Sequence, residues 1–275
     1  QKLTFILVTS FKLILMKNVL KIVGIQAALV WENPEKNIAF FEKKINTLEA
    51  GFDLIVLPEM FTTGFTMHPE RVAEKMNGFA VSWMQKIAKE KQAAICGSLV
   101  ISAADKFYNR FIFVHPTGEI ETYDKRHSFT LAGEDKVYTS GTEKIIIEYK
   151  GWRICPLICY DLRFPVWARN TENYDLLIYV ANWPIARIKA WDTLLKARAI
   201  ENMSYVIGVN RTGKDGNNYE YSGNSVLIDC LGKELSSLKE NEVGIITANF
   251  VKSEQDRIHK KLGFLADKDP FKIYK

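Results

Sequence analysis

Cys159 stands where an apolar run passes into a turn toward a helix, in Gly-Trp-Arg-Ile-Cys-Pro-Leu-Ile-Cys-Tyr-Asp-Leu-Arg-Phe-Pro at residues 151–165. A thiol at such a junction is held rigidly by the sheet, while the backbone N–H groups after it stay free to bind a developing oxyanion. The chemistry that suits it is nucleophilic attack on a carbonyl. Two upstream segments offer helpers: Asp-Leu-Ile-Val-Leu-Pro-Glu (53–59) ends a buried strand on Glu59, and Glu-Thr-Tyr-Asp-Lys-Arg-His (121–127) ends another on Lys125. Each residue taken alone has a plainer reading, as a buried structural thiol, a solvated strand-end carboxylate and a surface lysine. Their joint appearance at three strand ends favours a site, because catalytic groups of open α/β sheets collect there.

The elements that must position these residues alternate along the chain, which predicts a layered α/β architecture. The residues 21–29 read as a first strand. Asn33 then caps a helix with Pro34 in its first position, and Ile38, Phe41, Ile45 and Leu48 recur at helical spacing until Gly51. A buried strand over 53–57 precedes a second amphipathic helix over 79–92, with Ala80, Trp83, Met84, Ile87 and Ala88 on one face. Strands over 93–101 and 107–115, then a His-Pro-Thr-Gly turn into the strand that carries Lys125, form an antiparallel meander. The alternation resumes with strands over 152–158, 175–181 and 205–210, helices over 163–170 and 191–203, and later strands over 225–229 and 245–250. No linker, repeat or low-complexity run interrupts residues 20–270, which are expected to form one domain.

Composition narrows the function classes. The 275 residues are 47% hydrophobic and 25% charged, those of an ordinary globular protein with ample core. The net charge of +5 is scattered rather than gathered into a stripe, so no nucleic-acid partner is expected. Cys96, Cys155, Cys159 and Cys230 sit in apolar surroundings with no histidine spaced to complete a zinc site, so neither a disulfide framework nor a metal is expected, and a reducing cytoplasm is. No glycine-rich phosphate loop appears, so no nucleotide cofactor is implied. Residues 1–15, QKLTFILVTSFKLIL, are apolar and acid-free and precede Met16. Lys12 breaks the run, no cleavage site follows and the stretch is too short to span a bilayer. They are expected to be a non-structural extension, with no membrane association.

Leu-Pro-Glu-Met-Phe (57–61), Tyr-Asp-Lys-Arg-His (123–127) and Cys-Tyr-Asp-Leu-Arg-Phe-Pro (159–165), in that order, resemble the nitrilase or carbon–nitrogen hydrolase superfamily over about residues 20–270. Phe-Thr-Thr-Gly-Phe-Thr-Met (61–67), Ala-Asn-Trp-Pro (181–184), Trp-Asp-Thr-Leu-Leu-Lys-Ala-Arg-Ala-Ile-Glu-Asn (191–202) and Gly-Val-Asn-Arg (208–211) look like its omega-amidase branch, which hydrolyses the terminal amide of small 2-oxo acids.

The resemblance implies a mixed β-sheet sandwich flanked by helices (αββα), a homodimer and a cofactor-free amidase. In it Glu59 is the general base, Cys159 forms a thioester as ammonia leaves, and Lys125 lowers the thiol pKa and donates to the oxyanion with the Tyr160 N–H. Glu134 matches a second family glutamate, which orients the amide and supports the base; its plainer reading is a loop carboxylate. Trp183 reads either as a pocket wall or as core, Arg187 as a partner for a substrate carboxylate through its bidentate fork, and Arg163 as a loop anchor through ion pairing. Within the superfamily, another amidase, a carbamoylase or a nitrilase on a different small substrate stays open. Outside enzymes, so does a catalytically silent binding module.

Overall fold

Apolar β-branched runs and amphipathic helices alternate in the computed structural model, which describes residues 18–274. The expectation for residues 1–15 lies outside the described residues. The first half runs β1 (Val19–Gln26), α1 (Pro34–Asn46), β2 (Leu54–Val56), a short α2 (Pro69–Val72), α3 (Phe79–Lys91), β3 (Ala94–Ala103), β4 (Lys106–Val114), β5 (Ile120–Asp124) and a one-turn α4 (Glu134–Val137). The second half runs β6 (Ile147–Tyr149), β7 (Trp152–Ile158), a one-turn α5 (Pro165–Ala168), β8 (Leu176–Ala181), α6 (Ile188–Asn202) and β9 (Tyr205–Asn210). After these come β10 (Thr212–Lys214), β11 (Glu220–Ser222), β12 (Val226–Ile228), β13 (Glu234–Ser237), β14 (Gly244–Val251) and α7 (Lys252–Leu262).

The strands form two six-stranded mixed sheets, ordered β14-β1-β2-β3-β4-β5 and β13-β12-β9-β8-β7-β6. In each, three parallel strands (β1, β2, β3 and β7, β8, β9) lie at the centre and antiparallel strands flank them. Central parallel strands are apolar on both faces, as expected of strands covered twice. One face of the first sheet (Ile22, Leu54, Val56, Phe111, Phe113) shares a core with residues of the second (Ile154, Ile207, Val209). Its other face (Val23, Ile25, Ile55, Ile95) packs against Ile38 and Phe41 of α1 and Trp83, Met84 and Ile87 of α3.

On the outer face of the second sheet lies α6, and Gly208 lets it approach. A Cβ there would sit 2.5 Å from Leu195 and 2.8 Å from Trp191. The layers are therefore helix, sheet, sheet, helix, as the resemblance implies. Two helices depart from expectation: α6 begins at Ile188, led in by a 3-10 turn over Ile185–Arg187, and the helix over 163–170 shrinks to Pro165–Ala168. Among the described residues no helix is long and apolar enough to cross a membrane.

Candidate active site

Strand β7 delivers Cys159 into the left-handed backbone region, with φ +44°, at the start of a 3-10 turn over Cys159–Arg163. That conformation costs an L-residue about 1–2 kcal/mol, so neighbouring groups must hold it. Fully buried Asp161 is the main one. Its Oδ2 accepts from the Ile158 N–H at 3.0 Å and the Tyr123 hydroxyl at 2.8 Å. Its Oδ1 accepts from the His127 N–H at 3.0 Å and from His127 Nδ1 at 2.8 Å. One carboxylate thus ties the cysteine turn to the chain just after Lys125. Arg198 of α6 adds a bond from Nη2 to the Leu162 carbonyl at 2.7 Å. The arginine that anchors this loop is therefore Arg198 rather than the expected Arg163.

Each Asp161 oxygen faces a fixed backbone donor, so an asparagine in its place must set its own NH2 against one of them. Asp161→Asn should cost about 1–3 kcal/mol of stability. Urea unfolding of the variant beside the wild type checks it; equal midpoints would mean that the turn is held by other contacts.

Glu59 lies three residues past β2, fully buried between the sheets. Its Oε1 accepts from Lys125 Nζ at 3.0 Å and from Asn109 Nδ2 at 2.7 Å. Its Oε2 accepts from the Asn182 N–H at 2.8 Å, while the Asn182 side chain donates to the Glu59 carbonyl at 2.7 Å. Lys125, one residue past β5, also reaches both oxygens of Glu134 at 2.9 Å. Glu134 opens the one-turn α4 and takes the Phe129 N–H at 2.5 Å, so the loop carboxylate reading is replaced by a fully buried one. Glu59, Lys125, Cys159 and Glu134 are thus brought together from both sheets.

Burial alone would depress Lys125, but Glu134 and Glu59 outweigh it and hold the ammonium above its ordinary value. Glu134 is raised, first by burial and also by Glu59, with Lys125 pulling the other way. Burial pushes the Cys159 thiol well above the usual thiol range, Glu59 pushes the same way, and Lys125 opposes both without prevailing. This corrects the expectation of a thiol lowered by the lysine. A thiol raised in this way favours its protonated form, with Glu59 among the groups acting on it, which suits a proton that leaves as the sulfur attacks.

A cavity of about 450 Å³ opens above Cys159 and Lys125. Trp183 is both core and wall: it is buried, lines the cavity and donates Nε1 to the Arg187 carbonyl at 2.9 Å. Arg187 lies over the Phe129 ring at 5.0 Å, and Arg163 over the Trp183 ring at 5.0 Å, so both guanidinium groups border the cavity. Tyr160 lines it next to the cysteine. Sequence reasoning missed Asn109, Asn182 and the walls supplied by Trp31, Phe65 and Tyr219. The one available signal was weak: Asn109 stands beside Arg110 in a strand whose other residues after Lys106 are apolar or aromatic, and Asn182 directly follows an apolar strand. Among the described residues no group of three or more His, Cys, Asp or Glu side chains is arranged to hold a metal ion. A nucleophile, an acceptor for its proton and a buried cation beside them fit acyl transfer.

The carbon–nitrogen hydrolase family model matches residues 22–257. Omega-amidase YafV of Yersinia enterocolitica is 42% identical over 92% of this chain and 98% of its own length. The 2-oxoglutaramate amidase of Bacillus subtilis is 33% identical over 88% of this chain and 95% of its own length. Among solved structures, a carbon–nitrogen hydrolase superfamily protein from Xanthomonas campestris, with an arsenic adduct in its active site, superposes with a TM-score of 0.91. It is 38% identical and covers 93% of this chain and 99% of that one.

Proposed function

The chain belongs to the carbon–nitrogen hydrolase family, and from that premise we propose that it is an omega-amidase, hydrolysing the terminal amide of a short 2-oxo acid such as 2-oxoglutaramate to the acid and ammonia. The observation that carries this reading is the cavity itself, with Cys159 and Lys125 at its base and Arg163 and Arg187 at its wall. The base can attack an amide; the wall can hold a carboxylate at its far end.

In this mechanism Cys159 Sγ attacks the amide carbon while its proton passes to Glu59. The oxyanion is met by Lys125 Nζ and the Tyr160 N–H. Both Glu134 contacts of Lys125 go to one carboxylate, so a shared N–H can serve them and leave another for the oxyanion. Collapse breaks the C–N bond, and the proton on Glu59 leaves with ammonia. Glu59 then takes a proton from water, hydroxide adds to the thioester carbonyl, and collapse releases the acid and returns the proton to sulfur. Glu134 keeps Lys125 in place and charged. Trp183 and Arg187 bind the substrate. No step calls for a metal or cofactor.

Residues 20–270 serve in this reading as one carbon–nitrogen hydrolase domain, in a cytoplasmic homodimer. All four cysteines are free, which supports a reducing compartment. Exposed Val166 and Ile200 supply apolar surface for a subunit contact.

Ammonia release from 2-oxoglutaramate, from its decarboxylated amide and from a short nitrile tests the substrate. The 2-oxo acid amide should be turned over fastest, and Arg187→Met should raise its KM by about tenfold or more with little change in kcat. Equal hydrolysis of the uncharged amide or the nitrile would sink the specificity and leave the cysteine chemistry standing.

A further inference from the structure

Proton directions around Asn109 follow from one fixed donor. The backbone N–H of Met60, the residue after Glu59, donates to Ser98 Oγ at 2.9 Å. The Ser98 hydroxyl proton therefore points elsewhere, and Asn109 Oδ1 lies 2.8 Å away to accept it. An amide whose oxygen takes that proton must turn its NH2 to the opposite side. There it meets Glu59 Oε1 at 2.7 Å and Glu134 Oε1 at 3.3 Å. The reversed amide would set an oxygen against two carboxylate oxygens, so the hydroxyl and the carboxylates enforce the same orientation. Ser98 is fully buried and Asn109 nearly so, which leaves no bulk water to substitute for either.

The lone pairs of Glu59 can then be counted. Lys125 and Asn109 fill both positions on Oε1. The Asn182 N–H fills one on Oε2, and the Asn182 side chain approaches that atom only at 3.5 Å. One well-formed acceptor site is left. We propose that Ser98 and Asn109 are positioning residues that saturate Glu59 Oε1, hold Glu59 beside Glu134, and so assign Oε2 as the atom that takes the Cys159 proton. The proposal rests on reading Glu59 as the base.

The titratable groups facing this point are Glu59, Glu134 and Lys125, with Cys159 and the Tyr138 phenol within electrostatic reach of both glutamates, and Glu32 acting on Tyr138. An aspartate at position 109 keeps the bond from Ser98 and turns its second oxygen toward two carboxylates. Like charges disfavour further ionisation, so the carboxylate cluster that must take the Cys159 proton should be harder to ionise and the reaction should need higher pH.

The experiment follows alkylation of Cys159 by iodoacetamide against pH in the full-length protein. It needs no amide substrate, so it stands even if the 2-oxo acid reading fails. In Asn109→Asp the acid limb should move up by about one pH unit or more, which is about tenfold slower alkylation at a pH within the wild-type limb. Ser98→Ala, which frees the amide to turn, should alkylate about tenfold more slowly across the range. A folded Asn109→Asp protein with an unmoved limb overturns the proposal, because a merely structural asparagine would change stability and leave the limb alone. Should that variant not fold, Ser98→Ala alkylating at the wild-type rate overturns it.

Discussion

Cys159→Ala should lose about 10⁴-fold or more in amide turnover while keeping the wild-type unfolding midpoint to within about 1 kcal/mol, since it removes the covalent step and little packing. The left-handed backbone at this position is held by Asp161 and Arg198, neither of which touches the sulfur in that role, so the turn should survive. Cys155→Ala is the matching control. That thiol is fully buried on the face of β7 turned away from the first sheet, its pKa pushed up to about 12 by burial, and its loss should leave turnover within a few-fold of wild type. Steady-state ammonia release and circular dichroism melts on both variants decide the matter. Substantial turnover in Cys159→Ala, with loss in Cys155→Ala, would place the nucleophile four residues earlier.

Lys125→Met should be costly in both currencies, activity and stability. Methionine fills the space but leaves the buried carboxylates of Glu59 and Glu134 without their shared cation, and breaking a buried pair in this way costs about 3–5 kcal/mol. Turnover should fall by about 10³-fold or more, because the oxyanion loses its charged donor and the base loses its register.

The pH dependence has a definite sign. In the wild type the lysine is raised in the folded state, so its stabilisation is fully present below the unfolded lysine value near 10.4 and is lost only as pH climbs through the higher folded value. In the variant Glu134, already raised by burial and by Glu59, rises further. A carboxyl raised in the fold is a penalty at neutral pH that protonation relieves. The stability gap between wild type and variant should therefore narrow from pH 8 to pH 5 in urea titrations. A gap that stays constant would show that the lysine does not balance those charges.

Much of the fold was legible because buried strands and amphipathic helices carry strong periods. The runs that became β2, β7, β8 and β9 are apolar on both faces, and α1 announces itself with Asn33 accepting the Lys36 N–H ahead of Pro34. What escaped was weakly patterned. The β10–β11 hairpin is three residues on each side, and α7 is so rich in charge that only Gln255 is fully buried along it. The site divides in the same way. Lys125 and Cys159 directly follow strands and Glu59 lies three residues past one, so strand ends betray them. Asn109 lies inside a strand, and the carboxylates it bridges are 50 and 25 residues away, a relation with no local trace. The thiol's raised pKa was equally hidden, since a neighbouring cation is visible in sequence while the depth of burial that outweighs it is not.

The division of the site between two sheets also sets a timetable for the nascent chain. Glu59 and Lys125 hang from the sheet whose edge strand, β14, pairs residue for residue with β1 near the other end of the polypeptide. That sheet lacks its edge strand until β14 is made, well after Cys159 has been translated. At ribosomal speeds Cys159 waits on the order of ten seconds for the strand that completes the sheet carrying Glu59 and Lys125. A chain that ends before β14 thus leaves β1, the strand beside β2, as an unpaired edge of the sheet that carries both groups.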